Sequence, residues 1–166
     1  MLKMEQLLKR LSSERVETVG EALDRKKDEW VDDLRSLLAQ LRAWLADGEA
    51  AGTVSFREHE IELAEEDLGP YIVPALEIQV RTRHPASVHI LPRGMRVLGV
   101  VVAGPTRLVG ACGRVDMMCG PSRVILLRFR SEGATSWKAV LDDGRTEILD
   151  KDGFATALSY LLALDE

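Results

Sequence analysis

Residues 108–129 read LVGACGRVDMMCGPSRVILLRF, and the architecture of the whole chain turns on how they fold. A Gly120-Pro121 turn closes two extended segments, and the second carries the apolar run Val124-Ile125-Leu126-Leu127. A short unbroken apolar run bounded by Gly and Pro marks a strand covered on both faces. Arg114 and Asp116 stand two residues apart, so on a strand they share a face. Two charges inside an apolar block need each other, and a structural ion pair between Arg114 and Asp116 is expected.

More strands flank this stretch. Thr53 to Leu63 is extended, but its apolar parity changes from Val54 and Phe56 to Ile61 and Leu63, which predicts a bulge near Glu58-His59 or two strands. Ile72 to Arg83 alternates Leu76, Ile78 and Val80 with Glu77, Gln79, Arg81 and Arg83, and Pro74 marks an edge or a bulge. Ser87 to Leu91 is a short strand, Pro92-Arg93-Gly94 a turn, and Met95 to Ala103, apolar on both parities, a central strand. Ser136 to Leu141 and Thr146 to Leu149 flank Asp142-Asp143-Gly144-Arg145, the strongest hairpin signal in the chain.

Helices bracket the strands. Met4, Leu7, Leu8 and Leu11 have helical spacing, and Ser12 or Ser13 can cap a second helix. Trp30, Leu34, Leu37, Leu41 and Trp44 step by four and three, a heptad seam. Asp24 to Glu29 has no apolar residue and reads as the exposed middle of one helix or as a connection within a helical hairpin. A single helix would be ~50 Å long. Asp47-Gly48 ends it, with Gly as the C-terminal cap. Asp152 caps a closing helix whose Phe154, Leu158, Leu161 and Leu162 form one stripe. The expected fold class is α+β. It has an N-terminal long helix or helical hairpin, about seven mostly antiparallel strands, and a C-terminal helix packed on the sheet. The expected division is a helical arm over 1–48 and a sheet domain over 51–166.

The chain of 166 residues is long enough to bury a core without staples. It carries no signal-peptide pattern and no apolar run near the ~18 residues of a membrane span, and reads as cytoplasmic. Cys112 and Cys119 are then expected as reduced thiols. The absence of Asn and the preference for Arg, Ala, Leu and Gly fit a GC-rich, bacterial genome. The net charge of −5 hides blocks: residues 51–78 sum to −6, while residues 79–130 hold nine Arg, no Lys and one acid, for +8. Block asymmetry of this size points to partners or to internal neutralisation.

Candidate chemistry is sparse. Cys112-x6-Cys119 lacks the close spacing of zinc ribbons; His84 and His89 could complete a four-ligand set with them, but two half-buried thiols and two surface imidazoles are the favoured reading, and no metal or cofactor is expected. No nucleophile elbow, metalloprotease helix, phosphate loop or dinucleotide fingerprint occurs. A hydrolase centred on Asp116 is the weakest reading. An arginine-dependent binder of nucleic acid or a phosphorylated ligand would use Arg81, Arg83, Arg114, Arg128 and Arg130, because guanidinium grips phosphate as a fork. Against it, only Phe129 among residues 79–130 offers a base to stack on. The arginines are expected instead to reach Glu58, Glu60 and Glu62 on a neighbouring strand. The leading expectation is a non-enzymatic interaction module: a small subunit, adaptor, chaperone or immunity-type protein. It would bind another protein, or itself, through the seam Trp30, Leu34, Leu37, Leu41 and Trp44, with no membrane involved.

Overall fold

The computed structural model describes residues 3–96 and 110–164. Helix α1 (Met4–Ser13) comes first, so Ser12 and Ser13 form its last turn and do not cap the next helix. That role falls to Thr18, whose hydroxyl accepts a hydrogen bond from the Glu21 amide at 3.1 Å. Helix α2 (Val19–Trp44) then runs unbroken through the charged stretch Asp24 to Glu29. Arg25 holds this stretch in register, donating to Glu17 at 3.0 Å and to Glu29 at 3.1 Å. Asp47 and Gly48 do not end a helix. They lie inside a short α3 (Ala46–Ala50), and Gly52 takes the left-handed conformation after it, with φ +77°.

Among the described residues the sheet has seven strands: β1 (Val54–Glu65), β2 (Gly69–Val80), β3 (Ala86–Gly94), β4 (Arg114–Cys119), β5 (Ser122–Ser131), β6 (Ala134–Leu141) and β7 (Thr146–Ile148). Every strand pairs antiparallel with the next in sequence, so the order across the sheet is the order along the chain. The Gly120-Pro121 turn joins β4 to β5, with Cys119 paired to Ser122, and Asp142 to Arg145 turns β6 into β7. Helix α4 (Lys151–Leu161) closes the fold, and the fold class is α+β as read from the sequence. Its cap is Asp150, not Asp152: the Asp150 carboxylate accepts from the Gly153 amide at 2.7 Å. Gly153 is required there, because a Cβ would strike the Ile148 carbonyl.

One face of the sheet carries the core. Leu76, Ile90, Met117, Val124 and Leu141 face one another in a row across five strands. Both α2, through Trp30, Leu34, Leu37, Leu38 and Leu41, and α4, through Phe154, Ala157, Leu158 and Leu161, pack against this face. Each large side chain so buried contributes roughly 1.5–3 kcal/mol. Helix α2 and the strands beneath it therefore share one core. The apolar run of β5 is split between faces, as a doubly covered strand requires. Val124 and Leu126 join the main core, while Leu127 packs with Val140, Ala111, Ile125 and Phe129 on the other side.

Three local expectations change. The parity switch of β1 is present, but β2 switches opposite it, from Tyr71 and Val73 to Leu76 and Ile78, and the register runs through without a slip. Pro74 is tolerated because β3 pairs only with Leu76 to Val80, which leaves the other edge of β2 unpaired at Pro74. Pro92 to Gly94 belongs to β3, where the register with β4 shifts, and is not a turn. Gly94 has φ +150°, and a Cβ there would lie 2.7 Å from the Glu65 carboxylate, which accepts from the Met95 and Arg96 amides at 3.0 and 3.1 Å. Of the central strand expected over Met95 to Ala103, residues 97–103 lie outside the described residues. No helix among the described residues is long and apolar enough to cross a membrane.

Candidate functional site

The heptad seam is used internally. Trp30, Leu34, Leu37 and Leu41 are buried on the sheet, Trp30 stacks on Trp137 at 6.2 Å, and Trp44 meets Phe154 of α4 at 5.7 Å. The expectation that these five side chains form a partner-binding face is corrected. Heptad spacing says that a helix has one apolar face, and the sheet of the same chain is what covers it here.

The arginine block is mostly neutralised, though by other partners than the β1 glutamates. Asp33 of α2 accepts from Arg130 at 2.8 Å and from Thr135 at 2.9 Å, and lies 3.1 Å from Nε of Arg128. Arg130 also stands 3.9 Å from Glu29, and Arg96 pairs with Asp67. Glu58 turns instead to Arg42 of α2 at 2.7 Å, and Arg57 reaches across to Glu77 at 3.0 Å. A hydrogen bond from Gln79, aided by the Arg57 charge, holds the Glu77 carboxyl below its ordinary range. Of the five arginines proposed to grip an anion, Arg81 and Arg83 remain exposed and unpaired with any acid among the described residues.

Asp116 lies on the sheet face away from the helices and is 1% exposed. It pairs with Arg114 (2.8 and 3.2 Å), as expected, and also with Arg93 (3.0 Å), while Arg128 lies on the opposite face. The carboxylate accepts three hydrogen bonds from the two guanidiniums and is closed off from solvent. Asp116→Ala should lower stability by about 2 kcal/mol, less than the ~3–5 kcal/mol of a fully buried pair. The orphaned Arg93 and Arg114 are 48% and 24% exposed and can still reach water. Urea melts of Asp116→Ala and Asp116→Asn check this; a wild-type midpoint for the alanine variant would refute the pairing.

Among the described residues no three His, Cys, Asp or Glu side chains gather to hold a metal. Small crevices occur, such as one of about 390 Å³ between α2 and β1 that includes His59, Arg35 and Glu60.

The surface that stands out is α1. Met4, Leu7, Leu8 and Leu11 are 67, 37, 55 and 54% exposed, and no residue of the helix is buried. Their spacing places all four on one side of the helix, opposite Gln6, Lys9 and Ser13. Val16 and Val19, between α1 and α2, are exposed as well. The spacing was legible in the sequence; that this stripe, and not the longer one, is left uncovered was not. Compared with known proteins, the chain matches no family model, no curated protein and no solved structure.

Proposed function

We propose that this protein is a non-enzymatic interaction module that engages another protein through the apolar face of α1. The observation that carries this reading is the exposure of Met4, Leu7, Leu8 and Leu11 on a helix with no buried residue. Anchors at i, i+3, i+4 and i+7 are the pattern of an amphipathic helix laid into a partner's groove. The apolar stripes of both α2 and α4 are covered by the sheet. A small subunit, adaptor, chaperone or immunity-type protein of a bacterial system would use such a helix. An arginine-based anion site has less support, because Arg114, Arg128 and Arg130 are each held by an acid of the same chain.

The test is Leu7→Glu/Leu11→Glu. Both side chains lie outside the core, so the urea midpoint should move by less than about 0.5 kcal/mol. Binding of the protein partner captured by crosslinking in the cells that make this chain should weaken by at least about tenfold, or 1.4 kcal/mol. A variant that binds as wild type removes α1 from the interaction. A variant that unfolds as a core mutant does would show that the stripe serves the fold.

A further inference from the structure

A groove runs between α2 and the β1–β2 hairpin. One half is the crevice of about 390 Å³ described above, with Leu38, Ala39 and Pro74 in its wall. The other half is about 480 Å³, and its apolar lining is Val31, Tyr71 and Ile72. Arg35 borders both halves, so they adjoin. Together they follow α2 from Lys27 to Ala39, roughly 18 Å at about 1.5 Å per residue. Ile72, 50% exposed, is the large apolar side chain that the fold leaves to solvent here. Helix α1, with 10 residues and so ~15 Å long, nearly matches this groove in length.

The charges of the two surfaces complement each other. Asp28, Asp32, Glu58 and Glu60 border the groove against Lys27 and Arg35. Arg35 stands 3.8 Å from Asp32, and Arg42 binds Glu58, which leaves Asp28 in one half and Glu60 in the other. On α1, helical spacing puts Lys3 and Arg10 beside the stripe of Met4, Leu7, Leu8 and Leu11. The Arg10 side chain meets Glu14 in an exposed pair, which is worth little and is easily exchanged. The chain's own α1 does not lie in the groove, since none of its residues is buried. The connector to α2 is tied down by the Thr18 cap and by the pairs Arg15–Glu21 and Glu17–Arg25, which hold α1 away from it.

We propose that the partner of α1 is a second copy of this chain, and that two copies exchange helices, each α1 lying in the groove between α2 and the hairpin of the other. This rests on α1 being the binding face. Size decides for exchange over a simple pairing of two α1 helices. A helix ~15 Å long and ~12 Å wide turns about 300 Å² of surface toward its groove and covers as much of the groove. One docked α1 therefore buries ~600 Å², the scale of a packing contact, and two bury ~1,200 Å², the lower bound of a stable interface. Reciprocal exchange about a two-fold axis is closed, so assembly stops at the dimer.

Sedimentation equilibrium of the full chain up to about 100 µM reads the mass, with Leu7→Glu/Leu11→Glu altering the helix and Ala39→Arg the groove. Ala39 is exposed on α2 and Arg is a good helix former, so the groove variant keeps the fold. The wild type should dimerise in this range, and each variant should do so at least about tenfold more weakly. Leu8→p-benzoylphenylalanine, in a mixture of isotope-labelled and unlabelled chains, should crosslink on illumination to residues 27–39 or 72–74 of the unlike chain. A wild type that stays monomeric throughout overturns the exchange and leaves α1 to a different protein. Crosslinks confined to like chains would put α1 in its own groove, and a dimer that Ala39→Arg leaves unchanged would put it outside any groove; either overturns the exchange. A dimer indifferent to Leu7→Glu/Leu11→Glu is held by another surface and overturns it as well. The reading of α1 as a protein-binding face fails separately, when that variant binds the captured partner as wild type does.

Discussion

Trp30→Ala is expected to cost about 4 kcal/mol, the upper part of the range for removing a large aromatic from a core. Trp30 is fully buried where three elements meet: Trp137 of β6 stacks on one side, Arg128 of β5 lies over the ring, and Gly113 leaves room for its edge. Gly113 has no side chain to move into the void, and Arg128 cannot follow the retreating surface without dragging its charge into apolar space. The cavity would therefore stay open. Against a typical domain stability of ~5–15 kcal/mol, such a loss brings the chain near its threshold. Urea denaturation of Trp30→Ala beside Trp44→Ala checks this. Trp44 is only partly buried, so the two should differ by at least about 1 kcal/mol. Equal midpoints would mean that the α2–sheet junction is not packed around Trp30.

Asp33→Ala is expected to cost about 3–4 kcal/mol, because it leaves an uncompensated charge in the interior. Arg130 is a quarter exposed and has Glu29 within 3.9 Å, so it can reorganise. Arg128, with its side chain 4% exposed, cannot turn to water. This asymmetry is why Asp33 should matter more than Asp116, although both hold two arginines. Asp33→Asn keeps an acceptor for Thr135 and removes only the charge, so its loss should be smaller. An alanine variant melting within about 1 kcal/mol of wild type would show that Arg128 finds its compensation elsewhere. Combining Asp33→Ala with Trp30→Ala should cost less than the two separately, since both act through Arg128.

What the sequence made legible was local. The Gly120-Pro121 and Asp142–Arg145 turns were readable because turn chemistry acts within a few residues. The Arg114–Asp116 pair was readable because strand periodicity alone places both on one face. The face of α2 was readable too, but not its destination, since periodicity shows which side is apolar and not what covers it. The acids that hold Arg128 and Arg130 were missed for a related reason. Asp33 lies 97 residues from Arg130, and neighbouring strands were the only partners that chain order suggested. Capping residues were ambiguous where candidates crowd: Thr18 won over Ser12 and Ser13, and Asp150 over Asp152, by the geometry of a single hydrogen bond. The exposed stripe of α1 is a property of the whole sheet, since only after α2 and α4 are placed is it clear which apolar helix face is left over.

The meander has a consequence for the order in which the chain is made. Each strand can zip onto its predecessor as soon as it leaves the ribosome, because its neighbour has always just been synthesised. Helix α2 has no such advantage. Asp33 meets Thr135 across 102 residues, and Trp30 meets Trp137 at a similar separation. At ~5–20 residues per second, α2 waits roughly 5–20 s between emerging and gaining its last partners on β5 and β6. During that interval the seam from Trp30 to Trp44 is an open apolar surface on the nascent chain. That is the period in which ribosome-associated chaperones would bind it, and in which two neighbouring chains on one message would meet.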